Sequence, residues 1–277
     1  MNRLIYSPES RKVDLIKLNS TKTVDSQRSK ENVQDFILRI CDRIERKFKL
    51  NFEDNITLGK QMLEDNIYRG VVLEGIPATY AQTIEIINNL PVTSSLNPGQ
   101  INEIVSLKRA WEFILNKENL LSDMDAIYLD SVKEIHAIIG ANMESLNPLQ
   151  VGELRETPIY VGGVKNHNFG IPKQADIEYE LSELSKISDP VVQALELFCY
   201  LCKKQMFRDG NKRTANLVAN FVLIQSGSGL LSIREDLVPD FKILLIDWYE
   251  NDNKKDLMNF LLNKCYLYNF VGKAFLD

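Results

Sequence analysis

Two apolar runs divided by one short polar stretch set the strongest limit on how this chain folds. "DPVVQALELFCYLCKK" fills positions 189–204 and "LVANFVLIQSG" fills 217–227, with "QMFRDGNKRTAN" at 205–216 between them. Val191, Ala194, Leu195, Phe198, Leu201 and Cys202 recur at spacings of three and four, and Leu197 and Cys199 add apolar bulk. That pattern is a helix buried on several sides. Asp189 and Pro190 suit its N-cap and first helical position. A second helix is expected from Thr214 to about Ser226, ended by Gly227. "FRDGNKR" is then a tight turn between two core helices, at the N-terminus of the second.

Most other segments carry the same helical period. "SKENVQDFILRICDRIERKFKL" puts Phe36, Ile37, Ile40, Cys41 and Ile44 on one face, with Ser29 as a cap. "PATYAQTIEIINNL" is expected to hold Pro77 in its first turn. "NPGQINEIVSLKRAWEFILNK" follows, then "MDAIYLDSVKEIHAIIGANM" ending at Gly140, then "ADIEYELSELSKI" and the helices after 240. The exception is "ETPIYVGGVKNHNFGIPK" at 156–173, where prolines, β-branched residues and Gly162-Gly163 predict a short β-hairpin. The expected fold class is mainly α with one short hairpin. Two regions are expected, a helical one over 1–95 and a second over 96–277.

Composition narrows the function classes. With 44% hydrophobic and 26% charged residues over 277 positions, the chain has material for a packed core. A net charge of −5 without a basic block points away from nucleic acid. Apolar runs stop short of membrane-spanning length, and "MNRLIYSPESRKVD" has no apolar signal core, so a cytoplasmic setting without membrane contact is expected. Four cysteines in so long a chain are not a disulfide framework, and Cys199 and Cys202 are expected as buried, inert thiols. Only His136 and His167 are available to a histidine-based metal site.

The polar turn has chemistry of its own. A helix N-terminus offers unpaired N–H groups and partial positive charge to an anion. Gly210 would let the backbone approach a ligand, Lys212 and Arg213 add positive charge, and Asp209 would hold Mg²⁺ through one oxygen. A magnesium-nucleotide site fits those parts. A capped helix start with solvated charges fits them too.

The stretch also resembles the signature of the Fic (Fido) family, His-x-Phe-x-Asp/Glu-Gly-Asn-Gly/Lys-Arg. Phe207, Asp209, Gly210, Asn211, Lys212 and Arg213 match in register. "GELRETPIYVGG" is similar to that family's Gly-x-x-Arg and flap strand, and "IPKQADIEYELSEL" to the helix after the flap. The resemblance covers most of 100–230 and implies a Fic-type helical fold, with the Fic domain and C-terminal helices in 96–277. It implies protein adenylyltransferase chemistry: AMP moved from ATP to a protein hydroxyl. Asp209 would bind Mg²⁺, Gly210, Asn211 and Lys212 would form the anion hole, and Arg213 would hold phosphates. Phe207 would anchor the turn, and the flap, with Ile159, Tyr160, Val161 and His167, would align the target as a paired strand. Nucleotide and target protein are the implied partners, with a homodimer left open.

The pattern breaks at specific positions. The family's base, a histidine, is Gln205 here, and an amide takes no proton near neutral pH. His167 lies in the flap, which in the family borders the active site, but a flap positions a base poorly. A further nucleotide-binding arginine of many members is Asn216 here. Lys212 is shared with the Doc branch, one of whose members phosphorylates its target. "GVVLEGIPATY" resembles the family's inhibitory Ser/Thr-x-x-x-Glu-Gly/Asn, with Glu74 and Gly75 in place but Gly70 at the hydroxyl position. Since that Glu pairs with the arginine replaced by Asn216, Glu74 is expected to lack its partner. The readings are therefore a slow or altered adenylyltransferase, a catalytically silent Fic scaffold that binds nucleotide or a partner, and a Doc-like phosphotransferase.

Overall fold

The computed structural model describes residues 50–91, 96–121, 128–165 and 169–267. The expected helix at 29–50, Cys41 and His167 lie outside the described residues.

Helices dominate, and their ends are set locally. α1 (Phe52–Gln61) starts where the Asn51 side chain accepts from the Asp54 N–H, and α2 (Leu63–Glu74) stops at left-handed Gly75. α3 (Tyr80–Ile87) begins at a Thr79/Gln82 capping box. Pro77 therefore lies before the helix, not in its first turn. α4 (Pro98–Ile114) has a second such box, Asn97 with Gln100. The short α5 (Lys117–Leu121) follows, then α6 (Leu129–Gly140), which ends where expected. α7 (Gln174–Leu184) precedes the central pair, α8 (Pro190–Lys204) and α9 (Asn211–Gln225). Asp189 caps α8 by accepting from the Val192 N–H, as its sequence predicts. β1 (Leu230–Leu231), α10 (Val238–Asn251), α11 (Lys254–Phe260) and β2 (Tyr266–Leu267) complete the described chain.

α9 is the axis of the molecule. Leu217, Val218, Ala219, Phe221, Leu223 and Ile224 are all buried, and α1, α4, α6, α8 and β1 pack around them. One apolar core runs from Leu50 to Tyr266. Asn55 of α1, fully buried, donates to the Leu223 and Gly229 carbonyls and accepts from the Gly229 N–H. Cys199 and Cys202 lie fully buried in α8, and burial pushes the Cys202 thiol up to about 12.

The strand content differs in place from the expected hairpin. β1 and β2 form the two-stranded antiparallel sheet, far along the chain from the flap. In the flap, Ile159 and Phe169 make a single antiparallel bridge. Pro158, Gly162, Gly163, Gly170 and Pro172 flank that bridge, and proline removes ladder donors while glycine weakens extended pairing. Among the described residues no helix is long and apolar enough to cross a membrane.

Candidate active site

The turn between α8 and α9 is closed by its own amides. Gln205 ends α8 in the left-handed region (φ 48°, ψ 56°), a conformation that side chains other than glycine adopt at a cost. Its side chain is buried, with Nε2 donating to the Cys202 carbonyl and to the Tyr249 hydroxyl, and Oε1 accepting from Asn211 Nδ2. Asn211 also accepts from the Phe207 N–H and donates to the Phe207 carbonyl. Gln205 and Asn211 thus turn their side chains into the fold. Gly210 is the N-cap of α9 at φ 79°, and the helix has no side-chain cap. The backbone conformation by itself calls for glycine at this position. An added Cβ would meet the His136 ring at ordinary contact distance, while the left-handed φ would strain any other side chain. That φ also starts α9 three residues before the expected Thr214, leaving the first-turn N–H groups without helical acceptors.

Asp209 is held at several polar atoms. Its Oδ1 accepts from the Gly210 N–H at 2.6 Å, and its Oδ2 accepts from the Ser145 hydroxyl at 2.7 Å. His136 Nε2 lies 3.0 Å from the Asp209 carbonyl, and His136 Nδ1 accepts from the Gly152 N–H. Because Nδ1 accepts, Nε2 carries the proton and donates. The His136 ring stacks on Phe207 with centroids 3.7 Å apart. Burial lowers its pKa to about 4, so the ring is neutral and unfit as a base, having both nitrogens engaged. Neither His136 nor Ser145 follows from the sequence as a site residue. No spacing rule joins them to 209, and a buried histidine on an apolar helix face reads as core.

The cations sit among carboxylates. Arg213 is 4% exposed, with Nη1 on Glu103 Oε2 at 2.7 Å and Nη2 3.8 Å from Asp209. Glu74, at the end of α2, lies 3.4 Å from Lys212 Nζ and 3.8 Å from Arg213 Nε. The arginine expected at 216 is absent, and Glu74 meets two other cations instead. Position 216 does not supply the charge, but 212 and 213 do. Asn216 instead lines a small cavity with Asn66, Arg69, Gly70 and Arg213, and its Oδ1 takes a 3.3 Å bond from Asn220.

Arg155 joins the turn to the flap. Its Nε donates to the Gln205 carbonyl at 2.6 Å, Nη1 to Thr157 at 2.7 Å and Nη2 to Gly170 at 2.6 Å. Its own N–H donates to the Met206 carbonyl. Burial without a carboxylate partner in these bonds lowers its pKa from the usual arginine value. Beyond the bridge, Ile159 and Val161 are partly buried against the core while Tyr160 is 81% exposed.

A metal would find one carboxylate here. Among the described residues no group of three His, Cys, Asp or Glu side chains converges. Asp209, 42% exposed at its side chain, suits Mg²⁺, which keeps waters and takes its other oxygens from ligand phosphates.

Across residues 126–223 the chain matches the family profile described as Fic/DOC. The chain carries a Fic/DOC domain. Protein adenylyltransferase fic-1 of Caenorhabditis elegans is 29% identical over 164 residues, which are 58% of this chain and 32% of that protein. Protein adenylyltransferase Fic of Drosophila melanogaster is 27% identical over 218 residues, 76% of this chain and 43% of that protein. The chain thus aligns with about a third to two-fifths of the length of these relatives. A Fic domain containing signaling protein from Bacteroides thetaiotaomicron superposes with a TM-score of 0.62 at 19% identity, covering 82% of this chain and 90% of that one. The solved Fic-1 fragment of C. elegans gives 0.59 at 21%, covering 84% and 74%. The helical frame around α8 and α9 is the Fic fold.

Proposed function

We propose that the chain binds a magnesium-nucleotide at the Phe207–Arg213 turn and transfers AMP from ATP to a protein hydroxyl, slowly, because Gln205 replaces the base. The uncapped start of α9 beside Asp209 and Lys212 carries this reading, within a domain whose relatives are named protein adenylyltransferases. The N–H groups of Asn211, Lys212 and Arg213 would receive phosphate oxygens, with Lys212 adding charge. Asp209 would hold Mg²⁺, which supplies neutralisation of phosphate charge. The flap edge at Ile159–Val161 would receive an extended segment of the target, with Tyr160 exposed beside it. Loss of a positioned base costs roughly 10²–10⁴-fold in rate.

A second reading is a nucleotide-binding protein without transfer. The buried amide of Gln205 favours it, since its N–H groups and its oxygen are bonded to Cys202, Tyr249 and Asn211. Labelling with α-phosphate-labelled ATP, wild type beside Gln205→His, separates the two. Label on target with wild type supports slow transfer. Label with the histidine variant alone supports the binder. No label together with no nucleotide binding removes both.

A further inference from the structure

We infer that His136 and Ser145 are positioning residues that pre-orient Asp209 for its cation. This rests on the magnesium reading of Asp209 and adds the residues that set its geometry.

A carboxylate on a turn has free rotation about two bonds, and a cation that takes one of its oxygens must stop that rotation. Here it is already stopped. His136 Nε2 fixes the main chain at the Asp209 carbonyl, 3.0 Å away. The Ser145 hydroxyl fixes the carboxylate at Oδ2, 2.7 Å away, while the Gly210 N–H takes Oδ1. The histidine is itself immobile. It is fully buried, stacked flat on Phe207 and locked in one tautomer by the Gly152 N–H. Ser145 is held by a pair of turns, Met143 N–H to the Gly140 carbonyl and Leu146 N–H to the Met143 carbonyl. Met143 is 4% exposed and places its sulfur under Gly210, so the loop after α6 is anchored beneath the turn. Both contacts come from α6 and the loop that follows it. They add to the Gly210 N–H and to Arg213 Nη2, which lie on Oδ1 from the start of α9.

The Ser145 bond contributes little to folding. Its side chain is on an exposed stretch, and an exposed hydroxyl loses little when water replaces its partner. What the bond does is give Oδ2 one fixed donor, while Oδ1 has the Gly210 N–H and, 3.8 Å away, the Arg213 guanidinium. Partners of this kind on a ligating carboxylate typically set metal affinity by about 10–100-fold.

The test uses Mn²⁺ as the probe, with its binding to the nucleotide-loaded full chain read by electron paramagnetic resonance. Ser145→Ala is expected to weaken Mn²⁺ about tenfold, Ser145→Thr to restore it, and nucleotide affinity in the presence of chelator to stay level across all three. His136→Phe keeps the stack on Phe207 but removes both hydrogen bonds, and it is expected to weaken Mn²⁺ further in whatever fraction melts cooperatively. A purely structural role would shift the thermal midpoint and leave Mn²⁺ affinity level. Equal Mn²⁺ affinity of wild type and Ser145→Ala overturns the positioning role while the magnesium reading stands. Failure of nucleotide-loaded wild type to bind Mn²⁺ overturns both.

Discussion

Glu74 shows how much a single carboxylate can do at this site. It ends α2 within 3.4 Å of Lys212 and 3.8 Å of Arg213, and its Oε1 is buried without a hydrogen bond. At 3.8 Å the contact with Arg213 is an attraction without a shared proton, so the pair is held loosely. A phosphate arriving at α9 would compete with Glu74 for the same two cations. Glu74→Gly is therefore expected to raise nucleotide affinity by about tenfold, or 1.4 kcal/mol, by isothermal titration calorimetry. Unchanged affinity would mean that Lys212 and Arg213 do not face the phosphates. Placed against Asn216, as the sequence alone has it, Glu74 would leave nucleotide binding nearly unchanged on removal. One turn of helix separates 212–213 from 216, and which cation a distant carboxylate meets is decided by packing between α2 and α9, not by spacing.

Elements were legible where period and caps agree. α8 was readable from Asp189, Pro190 and its run of apolar positions, because each signal acts within the helix itself. The start of α9 was displaced by three residues, since the left-handed Gly210 that sets it is a property of the closed turn. The flap was readable as non-helical, from its prolines and glycines, but its pairing was not. A lone bridge depends on what holds the two segments, and that is Arg155, which bonds carbonyls on both sides of it. An ammonium cannot span three carbonyls in the plane of a guanidinium. Arg155→Lys is thus expected to loosen the flap, seen as faster proteolytic cleavage between 157 and 170 with the helical signal retained. Cleavage at the wild-type rate would show that the bridge holds without it.

At the scale of the molecule, His136 links the site to acid stability. In the folded chain its pKa is lowered by burial to about 4, against 6.5 for an ordinary histidine. Between those values the unfolded chain takes up a proton that the native ring refuses. Its contribution is full above about pH 6.5 and falls as pH drops toward 4, with a slope of at most about 1.4 kcal/mol per pH unit. Proton magnetic resonance is expected to find the His136 ring neutral at pH 5. A charged ring at pH 6 would contradict the buried, doubly bonded geometry.

The three hydrogen bonds of Asn55 have a consequence in time. Its partners, Leu223 and Gly229, lie 168 and 174 positions further along. At ribosomal speeds of about 5–20 residues per second, α1 is made roughly 9–35 seconds before the carbonyls that satisfy it exist. During that interval Ile56 and Leu58, buried in the finished fold, have no α9 to cover them. The nascent chain must wait, collapsed or chaperoned, for its own axis to be synthesised.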